Sequence, residues 1–257
     1  MFFRSICLLL LVGGVSGALD VDEILNRSDS VMHPVNLQGS FTMTLTSRTG
    51  DTRIIKVMAY QKKRSDTRED RLFLFSFPPS VKGTGLLVHS YLDDEEDSMW
   101  IYLPAVGRTK RVNLNTSGGG YFMGSDFTFS DLISTSREEL EHGLNPEEVI
   151  NGDRCYVLDV RGVSREVMRK YGYSRETHYI RKSDFVLVRV IFFDMAGDLL
   201  KTLNVDEVAQ IGTYRYPSTV RMENHQTGHL SVIEFDDIQT TDNLPDHYFT
   251  LRYLENQ

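Results

Sequence analysis

MWIYLPAVGRTKRVNLNTSGGGYFMGSDF, residues 99–127, opens as an apolar strand, breaks at Pro104 and turns basic. It then runs through three glycines and gathers large apolar side chains again at Phe122, Met123 and Phe127. A strand that ends in a flexible, apolar-tipped segment predicts something that folds back over a sheet. Trp100 and Tyr102 share one face of the strand; Met99, Ile101 and Leu103 share the other. Gly118, Gly119 and Gly120 predict a mobile segment, and Phe122 to Phe129 reads either as the start of a helix lying over a cavity mouth as a lid or as a hydrophobic plug behind a solvated cationic loop.

Outward from this stretch the chain reads as strand after strand. LQGSFTMTLTS sets Phe41, Met43 and Leu45 against threonines, and TRIIKVMAYQ follows a Thr49-Gly50-Asp51 turn. The period of two continues through RLFLFSF (71–77), GLLVHSY (85–91) and, beyond residue 150, six more segments. DMAGD (194–198) and HQTGH (225–229) mark tight turns. Residues 20–33 have helical spacing, with Asp20 as N-cap and Pro34 as terminator. SDFTFSDLISTSREELEHG (125–143) predicts a second helical zone capped by Ser125 or Asp126 and by Ser136. About eleven short strands and two or three short helices, with no repeat and no linker, predict one mainly β domain over residues 19–257. The stripes Phe41/Met43/Leu45, Phe73/Phe75/Phe77 and Val186/Val188/Val190/Phe192 are expected to face inward.

Hydrophobic residues make up 40% of the chain and charged residues 25%, an ordinary globular composition. Arg4, the apolar run Ile6–Val12 and the small residues Ser16-Gly17-Ala18 predict a cleaved secretory leader over residues 1–18. The apolar run is too short to span a membrane, so a soluble exported protein is expected. Removing the leader leaves Cys155 as the one cysteine, so no internal disulfide is expected. The formal charge of −8 argues against nucleic-acid binding.

Catalytic motifs do not emerge. There is no G-x-S-x-G elbow, and the glycine run lacks the spacing and lysine of a phosphate loop. Cys155 sits in the alternating segment RCYVLDV and reads as a buried hydrophobe. His225 and His229 flank a turn, but two histidines without a third ligand make no metal site. The acidic run Asp93–Asp97 reads as a solvated hairpin tip. No enzyme activity, metal or cofactor is expected.

Phe77-Pro78-Pro79, Lys82 through Leu87, Met99 through Pro104, Arg108 through Arg111 and Phe122 through Phe127 stand here in one order. Together they resemble the outer-membrane lipoprotein-sorting family, the LolA/LolB-like periplasmic carriers, in its branch with a W-x-Y-L-P … F-M-G-S-D-F signature. The motif core spans residues 77–132. The resemblance implies a strongly curved, incomplete antiparallel barrel with short helices covering an apolar cavity. It further implies a periplasmic carrier that shields acyl chains of lipoproteins, or lipid, on the way to the outer membrane. An inner-membrane exporter and an outer-membrane acceptor are the partners implied, without stable membrane insertion. The expected cargo-binding set is Phe41, Met43, Leu45, Phe73, Phe75, Trp100, Tyr102, Leu103, Phe122, Met123, Phe127 and Phe129. Arg108, Lys110 and Arg111 are expected at the rim, facing a lipid phosphate or an acidic partner. Two other readings are an accessory lipid-binding subunit of an exporter and a secreted lipid hydrolase.

Overall fold

A computed structural model describes residues 19–93, 95–114 and 117–256. The expected leader lies outside the described residues. The first element is helix α1 (Val21–Met32), whose N-cap Asp20 accepts from the Glu23 N–H at 2.8 Å. Thirteen strands follow: β1 (Asn36–Thr46), β2 (Thr52–Lys63), β3 (Arg68–Phe77), β4 (Gly85–Tyr91), β5 (Ser98–Leu103), β6 (Arg108–Arg111), β7 (Leu140–Ile150), β8 (Asp153–Gly162), β9 (Arg175–Arg181), β10 (Leu187–Phe193), β11 (Leu199–Ile211), β12 (Tyr214–Asn224) and β13 (His229–Thr240). Helix α2 (Arg165–Tyr171) joins β8 to β9, and α3 (Leu251–Glu255) closes the chain.

All thirteen strands form one antiparallel sheet in the order β6-β5-β4-β3-β2-β1-β13-β12-β11-β10-β9-β8-β7. The first and last strands pair at its centre, Phe41 opposite Phe235 and Met43 opposite Ile233. The edges are therefore β6 and β7, consecutive in the chain, and the sheet curls without closing. Their connection, residues 112–139, crosses the hollow from one edge to the other.

The expected tally of eleven strands missed only these two edges. RTKR and LEHGLNPEEVI carry few buried side chains, so no apolar period reveals them. Arg108, Lys110 and Arg111, expected in a loop, stand on edge strand β6, where cations discourage pairing with another chain. The predicted second helical zone is corrected too. Phe122 to Phe129 is a small hairpin, bridged between Tyr121 and Thr128, with Met123 and Gly124 at its tip at φ 53° and 80°. Only one-turn 3-10 segments follow, Phe129–Leu132 and Arg137–Glu139. Thr128 and Asp131, rather than Ser125 or Asp126, form the capping box of the first.

Two bulges redirect side chains. A register shift at Lys56/Val57 leaves Phe77 opposite Lys56 and 44% exposed, so it leaves the inward stripe of Phe73 and Phe75. A second shift, between Leu187 and Arg189, sends Val188 to the other face, beside Cys155, Val157 and Tyr179.

The concave face carries the main core, including Phe41, Met43, Leu45, Ile55, Val57, Phe75, Leu86, Val88, Val190, Phe192 and Met222. Helix α1 packs Ile24 onto Leu158, Val160 and Ile180 at one side of it. The opposite face of β3–β5 is covered by the C-terminal segment, where Leu244, Phe249 and Leu254 bury Leu72, Leu87, Trp100 and Tyr102. That segment is clamped by Lys62 and Arg64 on Asp246 and by the His89 ring, whose Nε2 lies 3.1 Å from the Phe249 carbonyl.

Burial holds the His89 imidazole below its ordinary value of 6.5, and His142 is lowered by burial as well. Both rings resist protonation in the fold but not in the unfolded chain. Stability is accordingly unaffected by them above about pH 6.5 and falls as pH drops below it, levelling off under the folded-state values. Thermal midpoints measured between about pH 7 and pH 5 should decline, and His89→Gln should flatten part of that decline.

Candidate functional site

The 112–139 connection is a plug, anchored twice. Its apolar side chains enter the concave core: Leu114, Phe122, Phe127 and Ile133 are buried there, with Met123, Phe129 and Leu132 packed against them. Phe122 meets Phe75, Phe129 and Phe73 at ring separations of 5.7, 5.6 and 6.4 Å. Beside this contact Phe41, Phe73, Phe235 and Tyr216 make an aromatic wall on the sheet, Phe41–Phe235 at 5.4 Å and Tyr216–Phe235 at 5.2 Å. Phe73, Phe235 and Tyr216 are only partly buried. Burial pushes the Tyr216 phenol up to about 12.

The second anchor is polar and buried. Asp126 carries the signature F-M-G-S-D-F into the sheet: one of its carboxylate oxygens accepts from Ser231 Oγ at 2.7 Å and bonds His229 Nδ1 at 2.6 Å. Its backbone N–H donates to Ser231 Oγ at 2.9 Å. Lys201, fully buried, donates from Nζ to the Asp126 carbonyl and to Asp131 Oδ2, each at 2.8 Å. Asp131 also accepts from the Thr128 N–H at 2.7 Å and from Tyr173 Oη at 2.7 Å. Burial, then the neighbouring Asp131 charge, raises the Tyr173 phenol well above its ordinary range, which keeps it a donor. Arg71 adds a bond to the Leu132 carbonyl at 2.6 Å. Every buried charge in this network has a partner, the condition under which burial of ions is tolerated.

The glycine run serves close packing at its first member. Gly118 sits at φ 64°, and a Cβ there would meet Ser130 Oγ at 2.5 Å and the Tyr171 carbonyl oxygen at 2.9 Å. Ser130 Oγ itself donates to that carbonyl at 2.7 Å. Gly118→Ala should cost about 1–3 kcal/mol through left-handed strain alone, more with the clash, and should raise protease cleavage within 112–139.

Of the expected cargo set, Phe41, Met43, Leu45, Phe73, Phe75, Phe122, Met123, Phe127 and Phe129 come together on the concave side. Leu103 lies in the same phase of its strand as Met99 and Ile101. Trp100 and Tyr102 do not join them; they lie on the opposite face under the C-terminal segment. Sequence reasoning missed Phe235, Tyr216, Lys201 and Asp131. One signal was present: Lys201 shares the inward phase with Leu203 in β11, and a lysine in that phase demands a buried partner.

Asp126, His229 and Ser231 are not arranged as a catalytic triad. Ser231 and His229 both address the same Asp126 oxygen, so no histidine activates the serine. Burial pushes the Cys155 thiol up, away from thiolate chemistry. His225 and His229 have different partners, Thr202 and Asp126. Among the described residues no helix is long and apolar enough to cross a membrane.

A curled, unclosed antiparallel sheet with a segment crossing its hollow defines the open-barrel class of LolA-like proteins. A family model described as an uncharacterized protein matches residues 67–256, and the chain belongs to that family. Two solved structures share the architecture at appreciable identity. A DUF1329 family protein from Desulfovibrio piger is 26% identical with a TM-score of 0.84, covering 90% of this chain and 96% of its own. A putative outer membrane lipoprotein-sorting protein domain from Vibrio parahaemolyticus is 27% identical with a TM-score of 0.83, covering 91% and 97%. A LolA superfamily protein from Nitrosomonas europaea, 20% identical with a TM-score of 0.71 and coverage of 92% and 100%, shares the fold. No match was found among curated proteins. The expected resemblance to lipoprotein-sorting proteins of LolA-like fold therefore holds.

Proposed function

We propose that the protein is a periplasmic carrier that shelters acyl chains, of lipoproteins or of lipid, against the concave aromatic wall for transfer toward the outer membrane. The observation that carries this reading is the plug: an apolar, separately anchored segment occupies the hollow that a cargo chain would fill. Burying a sixteen-carbon chain yields about 12 kcal/mol gross, at about 0.8 kcal/mol per methylene. Withdrawing Phe122, Phe127, Phe129 and Ile133 forfeits about 1.5–3 kcal/mol each, or about 6–12 kcal/mol. The two apolar terms are of the same order, while Leu114 and the Lys201–Asp131 anchor weigh further on the side of the plug. An exporter on the inner membrane would supply the cargo and an outer-membrane acceptor would remove it. No catalytic step is needed.

Titration with a fluorescent fatty acid tests the reading. The wild-type protein should take up the probe saturably. Phe235→Asp, which sets a carboxylate in the aromatic wall, should lose uptake because an unpaired charge is excluded from a dry site. A Phe235→Asp protein with native far-ultraviolet dichroism and unchanged uptake would defeat the proposal.

A further inference from the structure

We infer that the end of the sheet formed by the turns 47–51, 78–84 and 104–107 is a docking surface for an anionic lipid bilayer. The antiparallel order of β1 to β6 brings these three turns to one end. Arg48, Arg53, Lys56, Lys82 and Arg108 lie in or beside them, all exposed. None has an ion-pair partner among the described residues, whereas Lys62, Lys63, Arg64 and Arg68 at the other end of β2 and β3 are all paired. Asp51 is the one carboxylate between residues 33 and 65, and there is none between 73 and 92 or between 98 and 125. The β1–β6 part of this end thus carries five cations against one carboxylate, while the neighbouring turn 194–198 of the same end brings Asp194 and Asp198, so the cationic patch is confined to the three turns named. Large apolar side chains are interleaved with these cations: Ile54 is 44% exposed, Phe77 44% and Val106 53%. Phe77 faces solvent beside Lys56 because of the register shift in β3, so its exposure is built into the strand pairing.

Unpaired cations around exposed apolar side chains match a headgroup layer, phosphate outside and acyl carbon beneath. The cations are spread over two turns and the adjoining ends of β2 and β6, an arrangement that asks for no fixed geometry from its partner. A fluid bilayer meets that condition better than a folded acidic protein. The surface gives the proposed carrier a membrane to meet, but binding requires no cargo.

Cosedimentation of the purified protein with vesicles of phosphatidylcholine, with and without phosphatidylglycerol, provides the test. Binding is expected only to the anionic vesicles and should vanish near 1 M salt, where the Debye length is about 3 Å. Each cation near such a surface contributes about a five-fold factor, so Lys56→Glu/Lys82→Glu/Arg108→Glu should weaken partitioning by about a hundred-fold or more. Phe77→Ser should weaken it without changing the salt dependence. Equal binding to neutral vesicles, absence of binding, or a triple variant that binds like wild type would overturn the inference. Retention on immobilised polyglutamate without vesicle binding would overturn it in favour of an acidic protein partner. Fatty-acid uptake is read in parallel: its loss with vesicle binding intact would count against the carrier and leave the docking surface standing.

Discussion

Lys201→Met is expected to cost about 3–5 kcal/mol of stability, because it leaves Asp131 buried without its cation and the Asp126 carbonyl without a donor. The effect should appear in urea unfolding as a lower midpoint at an unchanged slope. Asp131→Asn alone should also destabilise, since Lys201 is fully buried and would lose its ion pair. The pair Lys201→Met/Asp131→Asn should cost less than the sum of the two, with a coupling above about 1 kcal/mol. Additive losses would show that the ion pair does not hold the plug. Because the network fastens residues 117–139 to the sheet, Lys201→Met should also speed uptake of an acyl probe while lowering stability. Loss of stability and gain of exchange rate in one variant is the signature of an anchor rather than of a cargo contact.

Phe249→Ala is expected to be comparably severe, about 3–5 kcal/mol for a buried phenylalanine. Phe249 is 2% exposed, lies under the Arg64 guanidinium at 5.2 Å, and its carbonyl lies within hydrogen-bond reach of the His89 ring. His89 in turn meets Trp100 edge-on at 5.1 Å. Trp100 is the one tryptophan of the chain, so its emission reports this region directly. The variant should shift that emission to the red before global unfolding, as the C-terminal segment loosens over β3–β5. Acyl uptake, on the opposite face, should survive wherever the protein remains folded. An unshifted emission with wild-type stability would contradict the role given to the C-terminal segment.

The strands of the sheet were legible in the sequence because the central ones bury one face, whereas the curvature came only with the family resemblance, since the alternation fits a sandwich as well as a barrel. Phe41, Met43 and Leu45 against Thr42, Thr44 and Thr46 could be read in one way only. The signature residues likewise located the plug, since Phe122 and Phe127 are too apolar to remain in solvent. What sequence could not show depends on long-range pairing or on single-residue shifts. The bulges that expose Phe77 and turn Val188 leave no mark in the alternation. Edge strands β6 and β7 bury too little to carry a period. Trp100 and Tyr102 were grouped with the cavity because an apolar face in a strand does not say what covers it. Here the distant C-terminal segment does. The polar anchor was mostly hidden for the same reason: the inward phase of Lys201 calls for a buried partner, but Asp126 and His229 acquire meaning only when the plug lies on β11 and β13.

Native mass spectrometry of the protein purified from a periplasmic extract, followed by solvent extraction of what it carries, tests the central claim most directly. The carrier reading predicts a population heavier than the apo mass, releasing a lipid or an acylated peptide. An apo mass alone, from protein that also takes up no added fatty acid, would contradict it and leave the plug as a permanent part of the core.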